Sequence, residues 1–515
     1  MVESGSSAPR WAGCLVGVAS AAVGLAVGEL VAAAASVRSP LVAVGDRVVD
    51  VVPTSVRSWA ISTFGTDDKT VLMAGVLVVL VIAAALLGIV AVQRSEWIGA
   101  AGVAVFALVG LVAQLGRGDT GALRPLPSLA AGIVSAGTLV VLARRAGRVW
   151  QSTRVVEDGR PIEVERRRFL QLGAGLMGAA VIAGAAGRWL QQQAAVVAER
   201  LKVVLPRPAS PLPAIPAAVH AEGAVPFVTP NSDFYRIDTA LSVPRVSPDG
   251  WTLTVRGKVD RELTLTFAEL LRRPMIEADI TISCVSNEVG GEFIGTARWL
   301  GCRLDDLLHE AGIRPDADQV VGRSVDGFTA GFPTTLLDGR PALVAVGMNG
   351  EPLPIEHGFP ARLVVPGVYG YVSATKWLRE IELTRFDEFD AYWIPRGWSR
   401  LGPIKTESRI DTPTDGATVV AGRPTAIAGV AWAMDRGIEM VEVRVDDGPW
   451  QAAMLAEEHA RTTWRQWRLA WTPSRGRHTI SVRATDTDGV TQTEEAADPA
   501  PDGATGWHTI GVIAS

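Results

Sequence analysis

Glu356 to Trp377 read EHGFPARLVVPGVYGYVSATKW, and the texture of this stretch decides the fold class. Short apolar strands are interrupted by proline and glycine turns, with His357, Arg362 and Lys376 set around them. Working outward, ALVAVGMNGEPLP (342–354) reads as a strand ending in an Asn-Gly turn, and ADITISC (278–284) and GWTLTVRGKV (250–259) read as further strands. LTFAELLRR (265–273) predicts a helix start capped by Thr266, and RWLGCRLDDLLHEAG (298–312) predicts a helix closed by Gly312. Strands and helices mix without a regular strand–helix–strand period, so this part is expected to be α+β rather than a doubly wound sheet.

Three clusters in it have the residue types for chemistry. Cys284 stands at the end of an apolar strand, against the Ser-Asn-Gly turn of DITISCVSNEVGGEFIG (279–295), where strand gives way to loop and binding sites tend to be built. Tyr235, Arg236 and Asp238 fall in the loop-like TPNSDFYRIDTALSVP (229–244), and the third cluster is the opening stretch itself. A thiolate suits a soft metal, positive neighbours would keep it ionised, and Arg forks with Lys point charges suit a phosphate. Each residue also has a plainer reading: a lone cysteine as a small core hydrophobe, an arginine as half of a surface ion pair.

The whole chain has 515 residues, 48% of them hydrophobic, and the excess lies before about residue 190. A formal net charge of −5 argues against nucleic acid, which needs a basic face. Only three cysteines occur, Cys14, Cys284 and Cys302, with no C-x-x-C pair, so zinc, iron–sulfur and covalent haem sites lack ligands. Five apolar runs are long enough to cross a bilayer: Trp11–Ala35, Val71–Val92, Trp97–Leu115, Leu126–Leu142 and Phe169–Leu190. The first histidine, His220, follows all of them, so no membrane haem is expected. The arginine-dense loop 143–168 marks the cytoplasmic side, which sends the fifth helix outward and puts everything after it beyond the plasma membrane. Arg166 and Arg167, followed by Phe169, Leu170 and a Gly/Ala-rich run, resemble a twin-arginine export signal, here internal rather than N-terminal.

The expected organisation is therefore multi-domain: an all-α transmembrane bundle of five helices (1–195), a proline-rich linker (196–229) that would hold the next domain off the membrane, the α+β part (230–403), and an all-β sandwich (404–515). That last region has the short alternating strands TAIAGVAWAM, MVEVRVDDGPW, TWRQWRLAWTP and HTISVRATDTDG, of immunoglobulin type without its disulfide, for packing or dimer contact.

Taken in order, FYRIDTALSVP with WTLTVRG, TISCVSN, and VGMNGEPLPIEHGFPARLVVPGVYGYVSATKWL resemble the molybdopterin-binding domain of the sulfite oxidase family. GVAWAMDRGIEMVEVRVDDGPW and WRQWRLAW are similar to its C-terminal dimerisation domain. The resemblance covers residues 226–515. It implies a molybdenum held by a pyranopterin dithiolene, with Cys284 as the single protein ligand. Arg362, His357 and Lys376, with Ser373 and Thr375, would hold the pterin and its phosphate; Tyr235, Arg236 and Asp238 would line the other side, and Asp326 would bond the pterin. It also implies two-electron oxo transfer with a small oxo donor or acceptor, a separate redox partner or quinone, and a homodimer through the C-terminal domain. The chain departs from the sulfite-oxidising pattern after its cysteine, where Asn287, Glu288, Val289 and Gly290 replace anion-binding arginines. Trp398, with Arg396 nearby, takes the place of a substrate-side tyrosine. The expected substrate is therefore not sulfite. A sulfoxide of the methionine sulfoxide kind, reduced at the same centre, is the alternative, and a non-catalytic cell-envelope scaffold is the alternative of another class.

Overall fold

Long uncharged stretches of Leu, Val, Ala and Gly form the helices of the first part of the computed structural model. It describes residues 8–35, 37, 39–53, 56, 59–60, 63–64, 68–115, 123–151, 171, 175 and 195–515. The chain divides into two units, Met1–Ala194 with Ala240–Ser242, and Ala195–Thr239 with Val243–Ser515. In the first unit the helices Arg10–Ala35, Asp68–Gln93, Glu96–Leu115 and Leu126–Gln151 contain the segments long and apolar enough to cross a membrane. Among the described residues these number four rather than the expected five, because the run Phe169–Leu190 and the twin-arginine motif lie outside them apart from Gln171 and Gly175.

Small residues let these helices approach. A side chain on Gly17 would run into the Ala84 carbonyl, and one on Gly88 into the Gly13 carbonyl. Ser135 Oγ donates to Ser20 O at 3.0 Å. Such contacts replace hydrophobic driving force where the surroundings are as apolar as the side chains. A further helix, Pro40–Val51, was not expected from the sequence, because Asp46, Arg47 and Asp50 break its apolar pattern. Proline at its start and the Ser39 side chain, which accepts from Val42 N at 3.2 Å, begin it.

The second unit starts with the helix Ala195–Lys202, after which the proline-rich segment is laid along the α+β part. Ala209 N donates to Met275 O at 2.8 Å, Arg298 donates to Pro213 O at 2.9 Å, and Val219 and Phe227 are buried in the core. One mixed sheet runs in the order Leu263–Thr266, Thr252–Gly257, Leu378–Thr384, Gln319–Ser324, Thr329–Pro333; its pair Thr254↔Glu380 is parallel and the other pairs are antiparallel. A second, antiparallel sheet runs Ile276–Ser283, Ile294–Arg303, Leu343–Met348, Glu351–Pro352, and Arg362–Val364 also pairs with Leu343–Met348. The expected helix 298–312 is corrected here. Ile294–Arg303 is a strand whose apolar residues pair across the sheet, and only Leu304–Ala311 is helical, stopped by Gly312 at φ 74. A continuous apolar run does not tell strand from helix when both faces are buried.

The C-terminal part is two packed sheets, Glu407–Thr412, Thr425–Trp432, Arg465–Trp471, Met454–Leu455 and Thr418–Val419, His508–Ala514, Gly476–Asp486, Ile438–Val445, Gln451–Ala452. Their inner faces bury Ile427, Val441, Val443, Trp467, Ile480 and Val482. The sandwich is not a separate bead. Trp432, Met434 and Trp464 are buried in the same core as Val320, Leu363 and Ile381 of the α+β part.

Candidate functional site

The strand Ile276–Ser283 pairs through Ser283↔Ile294, and Cys284 is the first residue past that ladder. Its amide still donates to Phe293 O at 2.9 Å, which closes the hairpin loop 284–293. Inside the loop Asn287 N donates to Cys284 O at 3.1 Å, and Asn287 Oδ1 accepts from Phe293 N at 2.7 Å. The cysteine is held at a fixed place on the end of a rigid sheet. It is buried, and burial pushes its thiol up, opposed by hydrogen bonds from Ser286 and by the charge of Lys376.

Arg362 opens the short strand Arg362–Val364 and is buried with its guanidinium 5.0 Å from the centre of the Trp299 ring. It donates to His357 O at 3.1 Å and more weakly to Leu363 O at 3.4 Å, and burial pulls it down to about 10. Lys376 donates to Asp238 Oδ2 at 2.9 Å and Glu356 O at 3.2 Å. Burial draws Lys376 down to about 8, against the upward pull of Asp238. Arg236 shares that carboxylate at 2.9 Å. Burial and the charges of Arg362 and Lys376 hold His357 at about 3, so it is neutral. Its Nε2, 3.2 Å from Asn231 O, carries the proton and leaves Nδ1 as acceptor. Trp377, directly after Lys376, has φ 49 while fully buried, a costly conformation that the packing over-determines.

Tyr235 joins the two halves. Its ring stacks on Phe234, centroids 5.4 Å apart, and lies 6.3 Å from Phe293 of the cysteine loop. Burial first, then the charge of Cys284, raises its phenol, while Arg362 lowers it. The structure thus brings Cys284, Tyr235, Arg362, His357, Lys376, Asp238 and Arg236 into one neighbourhood. Asp326 lies in the turn whose Val325 N donates to Trp377 O at 2.9 Å, next to Lys376 in the chain, and accepts from Phe328 N at 3.1 Å. Ser373 donates to Tyr369 O at 3.0 Å and Thr375 to Gly322 O at 3.4 Å, so each hydroxyl proton is directed at the main chain. Trp398 packs against Tyr371 and Trp393, and Arg396 lies 3.7 Å from the Tyr392 ring centre; neither contact includes Cys284.

Sequence reasoning missed Trp299, Asn231 and Tyr369, and the contact of Gly290 with His508. Trp299 carries Arg362, and Asn231 orients His357. Tyr369, read only as part of an apolar turn, is fully buried with the charge of Cys284 acting on it. Gly290, at φ 79 in the cysteine loop, lies against His508: a side chain there would run into the imidazole, and Arg409 donates to Gly291 O at 2.9 Å. No local signal connects positions so far apart in the chain.

The donor set suits a cofactor with an anionic tail. Among the described residues no carboxylate pairs with Arg362, although a buried guanidinium left with carbonyls alone is costly and is stabilised by an anion. Gly358, at φ 112, brings the backbone of Lys376 close to Arg362: an added Cβ would sit 3.1 Å from both residues. Soft sulfur at Cys284 and basic groups opposite it match a metal-bearing head and a phosphate tail.

The profile of the oxidoreductase molybdopterin binding domain matches residues 240–393, and that of a bacterial Ig domain matches 407–482. The chain is 32% identical over 289 residues to the mitochondrial sulfite oxidase of Rattus norvegicus, covering 47% of this chain and 52% of that one. It is 34% identical over 152 residues to the uncharacterized oxidoreductase YuiH of Bacillus subtilis (strain 168), covering 30% of this chain and 74% of that protein. The solved sulfane dehydrogenase SoxCD from Paracoccus pantotrophus is similar at a TM-score of 0.49 and 24% identity, over 57% of this chain and 82% of that one. The match spans about half the length of the rat enzyme. By this domain match and these relatives, this protein belongs to the sulfite oxidase family of molybdenum-cofactor oxidoreductases.

Proposed function

We propose that this chain is a membrane-anchored, extracytoplasmic oxidoreductase that carries out two-electron oxo transfer on a substrate other than sulfite. The observation that carries the reading is Arg362, a buried cation with no carboxylate partner among the described residues, in one neighbourhood with Lys376 and Cys284. The molybdenum cofactor, when bound, supplies the two-electron oxo chemistry. This chain's residues do the rest: Cys284 as thiolate ligand, Arg362 and Lys376 on the phosphate, neutral His357 as a hydrogen-bond partner, and Tyr235, Arg236, Asp238, Asp326, Ser373 and Thr375 as the remaining wall. Residues 230–403 form the cofactor domain, 196–229 the lead-in and 404–515 the sandwich.

The substrate reading rests on the loop after Cys284. Glu288 is exposed there, and like charge at the mouth disfavours an anion such as sulfite. A neutral substrate suits it, and the same feature favours reduction of a neutral sulfoxide as the second reading. Electrons are exchanged with a separate redox partner or a quinone. The arginine-dense loop 143–168 supports a cytoplasmic face there and an external catalytic domain.

The test is purification of the full chain from a host that makes the cofactor. We expect about one molybdenum per chain, loss of metal and activity in Cys284→Ala, and turnover with sulfoxides or other neutral acceptors in preference to sulfite. A well-folded wild-type chain without metal favours a scaffold instead. Protease digestion of intact cells and of inverted vesicles decides sidedness; cleavage of residues 195–515 only in inverted vesicles overturns the external placement.

A further inference from the structure

Oxo transfer moves protons as well as electrons. For a substrate X, X + H2O → XO + 2 H+ + 2 e−: the electrons go to the redox partner, and the protons must leave a buried centre or, in reverse, reach it. The groups beside Cys284 are poor carriers. His357 stays neutral, Lys376 is engaged by Asp238 and Glu356 O, and Arg362 keeps its proton near neutrality.

A cavity of about 400 Å³ lies where residues 403–407 meet the sandwich. Its charged lining is Lys405, Glu407, Arg436 and Asp486. Lys405 pairs with Asp502 at 3.0 Å, and Arg436 pairs with Asp486 at 2.9 Å. Glu407 differs. It is 5% exposed, and its Oε1 is buried with no hydrogen-bond partner. Across the strand pair its neighbour Trp432 likewise has a buried, unpartnered indole N–H. Burial pushes the Glu407 carboxyl up to about 8, against the charge of Lys405, so it holds a proton at neutral pH.

The same segment lies along Tyr369. Tyr369 N donates to Gly402 O at 2.7 Å, Ile404 N to Gly367 O at 3.0 Å, and Lys405 N approaches the Tyr369 hydroxyl at 3.5 Å. The charges of both Glu407 and Cys284 act on Tyr369. The next residue, Gly370, faces the cysteine strand: a Cβ there would lie 3.6 Å from Ser283 O and 4.0 Å from the Tyr235 hydroxyl. Tyr369 therefore stands between the cavity wall and the cysteine.

We propose that Glu407 is a proton-exchange residue, passing the protons of oxo transfer between the cavity at the sandwich junction and the Cys284 centre, with the Tyr369 hydroxyl between them. The cavity opens to solvent and is wide enough for water, which reaches the wall that Glu407 forms. The inference rests on the oxo-transfer reading above.

The test uses the full chain, with and without cofactor. Infrared spectra of the cofactor-free protein should show a protonated carboxyl band that titrates away with a midpoint near 8 and is missing in Glu407→Gln. In the loaded enzyme, Glu407→Gln should keep its molybdenum and KM but lose at least about tenfold in kcat. Its pH–rate profile should lose the inflection near 8, its solvent deuterium effect should rise, and Glu407→Asp should recover most of the rate. Tyr369→Phe should slow turnover in the same way. A wild-type chain that turns over while Glu407→Gln matches it in rate and pH profile overturns the relay alone. So does the absence of the carboxyl band. A wild-type chain that binds no molybdenum overturns the relay together with the oxo-transfer reading, whatever the infrared result.

Discussion

Arg362 shows how one side chain can be set for binding at the expense of stability. Among the described residues its guanidinium donates to carbonyls alone and lies near the Trp299 ring. Arg362→Met should therefore raise the stability of the cofactor-free chain, on the order of 1–4 kcal/mol as for other buried ionic groups replaced by apolar ones. The same change should abolish cofactor retention. Unfolding midpoints and metal analysis on one preparation check both. Two other residues give opposite pH signatures. His357 has a folded pKa of about 3 against 6.5 unfolded, so the stability it supports is present above 6.5 and lost as pH falls toward 3. Glu407 has a folded pKa of about 8 against 4.5, so its contribution is full below 4.5 and is lost as pH rises toward 8. Glu407→Gln should match wild type in stability near pH 4.5 and exceed it increasingly toward pH 8, by roughly 1 kcal/mol per pH unit in that window. Thermal midpoints of the two proteins across that range give the comparison.

Among the elements, the loop 284–293 depends on strands it does not belong to. Gly290 combines a positive φ with contact against His508, whose Nδ1 accepts from Ile410 N of the facing sheet at 2.9 Å and so is held in place. Gly290→Ala should cost about 1–3 kcal/mol and lower activity by displacing the loop that begins at Cys284. Adding His508→Ala should return part of the loss by relieving the contact while leaving the φ strain. A double-mutant cycle in unfolding and in kcat measures that coupling. Local sequence gave a sound account of Thr266, whose capping box with Glu269 is formed, and of the strands Thr425–Trp432, Ile438–Val445, Arg465–Trp471 and Gly476–Asp486 of the sandwich, but left out His508–Ala514. It misjudged 298–312, where the apolar run serves a strand buried on both faces, and it gave no helix at Pro40–Val51, whose charges interrupt the pattern.

At the scale of the molecule, the α+β part and the sandwich share one core, since Trp432, Met434 and Trp464 are buried with Val320 and Leu363. Residues 195–515 should then fold without the first unit and melt cooperatively. A chain cut after Gly402 should expose that core and aggregate. Calorimetry and size-exclusion chromatography of the two fragments test this; a stable, monomeric 195–402 fragment contradicts it.

The family resemblance supplied the cofactor; the order of apolar runs, turns and chemistry-bearing residues sufficed to read helices apolar enough to cross a membrane, an α+β part and an all-β tail, and to mark Cys284, Arg362 and Lys376 as candidates. These properties follow from periodicity and local composition, which act over a few residues. Only the folded chain brought His508 and Arg409 onto the cysteine loop, left Arg362 without a carboxylate among the described residues, and put Glu407 in a cavity wall from which its charge acts on Tyr369. Those relations join residues far apart in the chain, and packing between sheets, which leaves no period in the sequence, creates them.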